Sequence, residues 1–146
     1  MAKSVALDIV TPDRLFYRGD VELVIVRTLN GDEGFMANHL WACKLLSTGE
    51  LWIQEKGSKD FRVAAISGGF IDIKEKFTIF TDAAEWPEEI DVDRARRSGA
   101  AAEERLKTRR APVGGEDAEA LSEAKTDVRK SRTRVNVAGG GARRKR

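Results

Sequence analysis

The feature that most constrains this chain is a change of pattern at Trp86-Pro87. Upstream, the sequence is built of short Val-, Ile- and Phe-rich runs cut by turn residues. Residues 5–10 end at Thr11-Pro12-Asp13. Residues 21–27 alternate, with Val21, Leu23, Ile25 and Arg27 on one face and Glu22, Val24 and Val26 on the other, and end at Asn30-Gly31. Leu51-Trp52-Ile53 follows a Ser47-Thr48-Gly49 turn, residues 61–66 end at a Ser67-Gly68-Gly69 turn, and residues 70–73 and 77–81 flank Lys74-Glu75-Lys76. Runs this short, punctuated this often, predict a β-sandwich or barrel. The long helical patterns that a parallel βαβ sheet requires between its strands are missing.

Downstream there is no strand pattern. Pro87 suits a first helical turn, where its missing N–H costs nothing. Asp91 is placed to cap a helix over residues 91–110, which is dense in Ala, Arg and Glu. Ala111-Pro112-Val113-Gly114-Gly115 is a break. Residues 116–134 make a second helix with acids at its start and cations at its end, as the helix dipole prefers. The apolar stripes are Ala95, Ser98/Gly99, Ala102 and Leu106 on the first helix, and Ala118, Leu121, Ala124 and Val128 on the second. Burying a methyl stabilises by ~0.8 kcal/mol and a Leu by roughly 1.5–3 kcal/mol, so a hairpin packed mostly on Ala is marginal and able to open. The expected division is a β-sandwich over 1–86, a helical hairpin over 87–135 and a disordered basic tail over 136–146.

Charge follows the same division. Residues 1–85 carry 10 Lys and Arg against 13 Asp and Glu; residues 86–146 carry 16 against 11. The basic end raises a nucleic-acid-binding reading as the alternative function. Its cations are interleaved with acids, and no aromatic residue follows Trp86 to stack on bases, which counts against it. Cys43 is the single cysteine, so no intramolecular disulfide forms, as fits a reducing compartment. No apolar run approaches the roughly 20 residues of a spanning helix. Residues 1–11 lack a cationic start followed by an apolar stretch, so no signal peptide is expected. His39, the only histidine, has no Cys or carboxylate cluster at ligand spacing, so no metal site is expected. No nucleophile motif surrounds a serine and no Gly-rich phosphate loop is present, so no catalytic residue is assigned.

Five segments in order resemble the epsilon subunit of bacterial F-type ATP synthase. Residues 7–14, Leu-Asp-Ile-Val-Thr-Pro-Asp-Arg, are similar to its first strand and turn. Residues 31–39, Gly-Asp-Glu-Gly-Phe-Met-Ala-Asn-His, are similar to its glycine-bracketed loop ending in histidine. Ser67-Gly68-Gly69-Phe70 resembles its glycine-pair turn, and residues 81–85 resemble the end of its last strand. Ile90-Asp91-Val92-Asp93-Arg94-Ala95 matches its Ile/Leu-Asp-x-x-Arg-Ala motif. The family often carries Pro beside the loop histidine, where this chain has Ala37 and Trp41.

The resemblance implies a sandwich of about ten strands followed by an antiparallel two-helix hairpin. It implies a non-catalytic rotor subunit at the foot of the central stalk, bound to the gamma subunit and the c-ring. Such a subunit sits peripherally on the cytoplasmic face of the plasma membrane. The hairpin would brake ATP hydrolysis when it extends towards the alpha and beta subunits. Asp32, Glu33 and His39 are then expected at the ring or stalk contact. No cofactor is required, but a regulatory ATP is expected on the folded hairpin: Glu85 and Asp91 at the adenine edge, Ile90 and Ala95 beside it, and Arg94 at the phosphates. From charge alone, Lys125, Arg129 and Arg132 could add phosphate contacts. Without the resemblance, Asp32 and Glu33 read as an ordinary turn, Asp91 as a cap and Arg94 as a surface ion-pair partner. Phe61, Phe70, Phe77 and Phe80 read as sandwich core, and Phe16, Tyr17, Trp41 and Trp52 as core or strand-edge packing.

Overall fold

The computed structural model describes residues 3–108 and 115–139. Seven strands come first: β1 (Val5–Val10), β2 (Leu15–Thr28), β3 (Gly31–Met36), β4 (Ala42–Glu55), β5 (Phe61–Ile73), β6 (Phe77–Phe80) and β7 (Ala84–Glu85). A 3-10 turn, Pro87–Glu89, leads to helices α1 (Val92–Thr108) and α2 (Gly115–Ala138).

The strands run in the order β1-β6-β5-β4-β2-β3, and β1 also pairs with β2. That extra pairing closes the sheet on itself, so β1, β6, β5, β4 and β2 satisfy one another's edges. β3 and β7 are short additions to β2 and β5. β1 and β6 run parallel; the remaining pairs are antiparallel. Inside, Leu7, Ile9, Val21, Val24, Leu51, Ile53, Ile71, Ile73, Phe77 and Ile79 are fully buried.

The sandwich has seven strands where about ten were expected. The reason lies in β2, β4 and β5, which are 14, 14 and 13 residues long. Each passes through a corner of the sandwich and serves both layers, so turn-like residues mark a bend inside a strand and not its end. Ser47-Thr48-Gly49 and Ser67-Gly68-Gly69 both lie within strands and face each other in the β4–β5 ladder. Gly68 and Gly69 have φ of +74° and +104°. A Cβ on Gly69 would sit 1.8 Å from the Phe80 carbonyl oxygen, so only glycine lets β5 bend this close to β6.

The bend also reverses which side chains face inward. Ile66 is buried, and unbroken alternation would bury residue 70 and expose residues 71 and 73. Instead Ile71 and Ile73 are buried, and Phe70 and Phe80 are 38% and 41% exposed, stacked on each other with centroids 4.9 Å apart. The assignment of Phe70 and Phe80 to the core is therefore corrected, whereas Phe77 is fully buried. Phe16, Tyr17 and Trp52 are buried, but Trp41 is 68% exposed.

The two helices pack antiparallel, as the contacts Ala95–Ser131 and Arg105–Asp127 require. Ala95, Gly99, Ala102, Ala124 and Val128 are buried between or beneath them. The contact is close at Gly99, where a Cβ would meet the Ser131 hydroxyl at 2.2 Å. Asp91 caps α1 as expected, its carboxylate accepting from the Arg94 N–H at 3.0 Å. The expected break falls partly on residues 111–114, outside the described residues; α2 begins at Gly115. α2 also runs further than expected. It continues through Ala138, with Val137 fully buried, so residues 136–138 are helix and not disordered tail. Nothing in Asn136-Val137-Ala138 breaks a helix; Gly139 is the first residue that does. The rest of the expected tail, residues 140–146, lies outside the described residues.

Candidate functional site

The residues singled out in the sequence fall at three places: the joint between sandwich and hairpin, the contact between α2 and the sandwich, and the strand β3 with the turn that follows it. The joint is held by aromatic stacking. Trp86 lies on Phe16 with centroids 4.5 Å apart, and the Arg62 guanidinium sits over the Trp86 ring, 4.0 Å from its centroid. The edge of Tyr17 closes the cluster. The Tyr17 hydroxyl donates to Glu55 at 3.2 Å, and burial together with that carboxylate pushes its pKa up to about 12. Glu89 then fastens the 3-10 turn. Its carboxylate accepts from the Trp86 N–H at 2.8 Å, and Arg14 Nη2 donates to both of its oxygens, at 2.8 and 2.9 Å. The backbone N–H first, and Arg14 second, hold the Glu89 carboxyl below its usual pKa. Residues 87–89 are thus tied to the sandwich, and the chain is released only at Ile90-Asp91.

Past the joint, Ile90 is half-buried, Asp91 and Arg94 are exposed and Ala95 is buried. The Ala95 carbonyl accepts the Ser131 hydroxyl at 2.6 Å, which locks the start of α1 to the end of α2. Glu85, on β7, is engaged elsewhere. It accepts a bidentate pair from Arg134 of α2, both distances 2.8 Å. Thr48, Ser67, Lys130 and Thr133 surround this clasp with space for about one water, roughly 10 Å³. The structure therefore brings Asp91, Arg94 and Ala95 together at the helix start and joins Glu85 to Arg134. A sequence motif cannot reveal that pairing, because Glu85 and Arg134 are 49 residues apart.

Asp32 and Glu33 were expected on a loop tip, but they lie on β3, paired with Arg27 and Val26 of β2. Arg27 donates to Asp32 at 2.9 Å, and Glu33 accepts the Thr28 hydroxyl at 3.0 Å with Lys44 3.6 Å away. His39 follows β3 in a tight turn in which Asn38 adopts φ of +64°. Its ring meets Phe35 edge-on at 5.0 Å, and its Nδ1 is 2.7 Å from the Leu40 carbonyl oxygen. Leu40 and Trp41, beside it, are largely exposed.

The sequence reading missed an apolar stripe on the outside of the sheet. Leu45 pairs with Phe70, Phe70 with Phe80, and Phe80 with Val10, which places four apolar side chains side by side on β4, β5, β6 and β1. Leu45 is 68% exposed. A shallow groove of about 330 Å³ runs along Val10, Pro12, Phe70 and Phe80. The signal was present in Gly68-Gly69, had the glycine pair been taken as a switch of face instead of a turn. Among the described residues, no helix is long and apolar enough to cross a membrane and no group of three His, Cys, Asp or Glu is placed to hold a metal ion.

The profile of the family described as ATP synthase, Delta/Epsilon chain, beta-sandwich domain matches residues 4–87. The chain belongs to the ATP synthase epsilon family. An ATP synthase epsilon chain from Alkaliphilus oremlandii is 49% identical over 107 residues, covering 73% of this chain and 78% of the relative. One from Bacillus pumilus is 35% identical over 138 residues, covering 94% and 98%, and so spans the hairpin as well. Two solved structures share the fold. One is a chain in the mitochondrial ATP synthase of Euglena gracilis (OSCP/F1/c-ring, rotational state 1), with TM-score 0.74 and 20% identity over 89% of this chain and 78% of that one. The other is a chain in the central stalk and c-ring of the Tetrahymena thermophila mitochondrial enzyme, with TM-score 0.63 and 13% identity over 91% and 97%. Epsilon chains are structural and regulatory subunits without a catalytic site of their own. The ion pairs and caps described above fit that role.

Proposed function

We propose that this epsilon-family chain is a rotor subunit of the central stalk whose sandwich docks on the gamma subunit and the c-ring, and whose hairpin restrains ATP hydrolysis when it opens. The observation that carries the reading is the unequal attachment of the hairpin. It is pinned at one end by Trp86 and Glu89, and α2 rests against β4 and β5 with the bidentate pair Glu85–Arg134 between them. A part-exposed ion pair of this kind is worth about 1 kcal/mol or less, and the sandwich core cluster contains no described residue of α1 or α2, so the arm can leave without unfolding the sandwich.

The uncovered stripe of Leu45, Phe70 and Phe80 suits a large protein partner, for which we assign the gamma subunit. The turn bearing His39, Leu40 and Trp41, together with the Asp32–Glu33 stretch of β3, is assigned to the c-ring contact. An opened hairpin would meet the alpha and beta subunits. In this reading the chain helps transmit ion-driven rotation to ATP synthesis and sits on the cytoplasmic face of the membrane through its partners.

Regulatory ATP belongs to the same proposal. Asp91, Arg94, Ile90 and Ala95 stand together at the start of α1, and Glu85 can join them only after releasing Arg134. A ligand specific to the closed hairpin stabilises it by about 2.7 kcal/mol at 100 times its Kd, which is comparable to the few kcal/mol, roughly, that a hairpin packed mostly on Ala gains. The deciding test is ATP hydrolysis by an F-type complex stripped of this subunit. Either the whole chain or a version ending after Ile90, which keeps the Trp86 and Glu89 anchors, is added back. Both should bind and only the whole chain should slow hydrolysis. Equal rates with both bound would end the braking role, and failure of both to bind would end the docking role.

A further inference from the structure

The β2–β3 turn holds a reactive dipeptide. The chain has three asparagines, Asn30, Asn38 and Asn136, and of these only Asn30 is followed by glycine. Asn38 precedes His39, and Asn136 precedes the fully buried Val137 inside α2. The side-chain amide of an asparagine is open to attack by the main-chain nitrogen of the next residue. A side chain on that next residue stands in the way, and glycine has none. The fold leaves the way clear as well: nothing lies within 4 Å of where a Cβ on Gly31 would sit. Asn30 and Gly31 are exposed, and Leu29 beside them is 81% exposed.

Thr28 holds the turn. Its hydroxyl accepts from the Asn30 N–H at 3.1 Å and is shared between the Gly31 carbonyl and the Glu33 carboxylate, each at 3.0 Å. The first two of these bonds lie on either side of the Asn30–Gly31 link. For the Gly31 nitrogen to reach the Asn30 side-chain carbon, the Asn30 Cα–C bond must rotate, and that rotation pulls against Thr28. Thr28 and Gly31 also form the last rung of the β2–β3 ladder. The attack therefore waits on local opening of the turn.

We infer that Asn30 is a site of slow, uncatalysed self-modification, and that Thr28 is the restraint that sets its rate. The Gly31 nitrogen gives up its proton and bonds to the Asn30 side-chain carbonyl carbon. The bond from that carbon to the amide nitrogen breaks, and ammonia leaves. Water then opens the five-membered imide at either of its two carbonyls. One opening gives aspartate. The other gives isoaspartate, whose main chain runs through the side-chain carbon and is longer by a methylene. The sum is a water consumed and an ammonia released, with no change of oxidation state. Either product adds a carboxylate beside Asp32 and Glu33. Isoaspartate also displaces the start of β3 against β2, where Arg27 meets Asp32 and Thr28 meets Glu33. Phe35, 2% exposed, keeps the far end of the strand in the core. The chemistry is independent of the contact proposed for β3.

The test follows the full chain in mildly alkaline and in mildly acidic buffer, by mass spectrometry of the tryptic peptide 28–44, which holds both Asn30 and Asn38. Acid should accumulate at Asn30 and not at Asn38, faster in the alkaline sample, and as both aspartate and isoaspartate. Thr28→Val, which keeps the shape and loses the hydroxyl, should speed the reaction about fivefold, as loss of one ordinary hydrogen bond implies. Thr28→Ser, which keeps the hydroxyl, should hold the wild-type rate. Unchanged amide exchange in β4 and β5 shows that both variants are folded. Conversion of Asn38 at the same pace would overturn the site. So would an intact Asn30 in the alkaline sample at a time when the same chain in urea has converted. A folded Thr28→Val that reacts at the wild-type rate would overturn the restraint.

Discussion

The sandwich and the hairpin are held together by different physics. In the sandwich, large side chains are fully enclosed, among them Phe77, Leu7, Leu51 and Ile53, inside a sheet closed on itself. Among the described hairpin residues the buried ones are Ala, Gly, Ser, Thr and two Val, and long side chains meet at exposed ion pairs such as Arg105–Asp127 and Arg132–Glu103. Burial of whole aromatic and aliphatic side chains fixes one arrangement. Contacts between small residues permit close approach but gain little from it. Docking at one end and movement at the other, as proposed above, would draw on both.

The largest effect should come from emptying the core. Phe77→Ala should destabilise the sandwich by about 3–5 kcal/mol, read by chemical denaturation. A loss below about 1 kcal/mol would mean that the core is not what distinguishes the two halves. Next is Gly99→Val. Its Cβ would fall 2.2 Å from the Ser131 hydroxyl, and overpacking of this kind costs about 1–3 kcal/mol. The loss should appear as increased amide exchange in α1 and α2 with the sandwich amides unchanged. If the sandwich loosens as well, the halves are not independent.

The third concerns acid. Arg18, first, and then Lys76 hold the Asp8 carboxyl down at about 2 against the opposing effect of burial. Arg18 reaches it with two hydrogen bonds of 3.0 Å. Because the folded pKa is depressed, the stabilisation is complete above about pH 4 and is lost as pH falls through about 2; it amounts to about 2 kcal/mol. Asp8→Asn should remove this portion of the acid sensitivity of the sandwich and leave the exchange of the hairpin unchanged. The smallest effect is expected for Arg134→Gln, about 1 kcal/mol, confined to the closed state of the hairpin. It should raise exchange along α2 without altering the denaturation midpoint of the sandwich.

How far each region could be read in the sequence follows the same contrast. Strands β1 and β6 and the cap at Asp91 were legible, because alternation and capping are local. The long strands β4 and β5 were not, because Ser47-Thr48-Gly49 and Gly68-Gly69 carry the composition of turns but lie within strands. Phe70 and Phe80 were misplaced for the same reason, since a switch of face changes nothing in the letters around it. The end of α2 was missed because the burial of Val137 depends on tertiary packing. At the candidate site, Asp91, Arg94 and Ala95 were visible as a motif. Glu85 was visible as a residue but not as the partner of Arg134, a relation that exists only once α2 lies against the sandwich.

The stacked Trp86 has a mechanical consequence. With its indole packed on Phe16 and Arg62, and the next turn tethered by Arg14, the fulcrum of the arm is set at Ile90 and lies against the sandwich wall. From that point α1 is a lever of about 26 Å, and α1 and α2 end to end would span about 60 Å. If the hairpin opens as proposed, the radius the arm can sweep is set by where one tryptophan is nailed down.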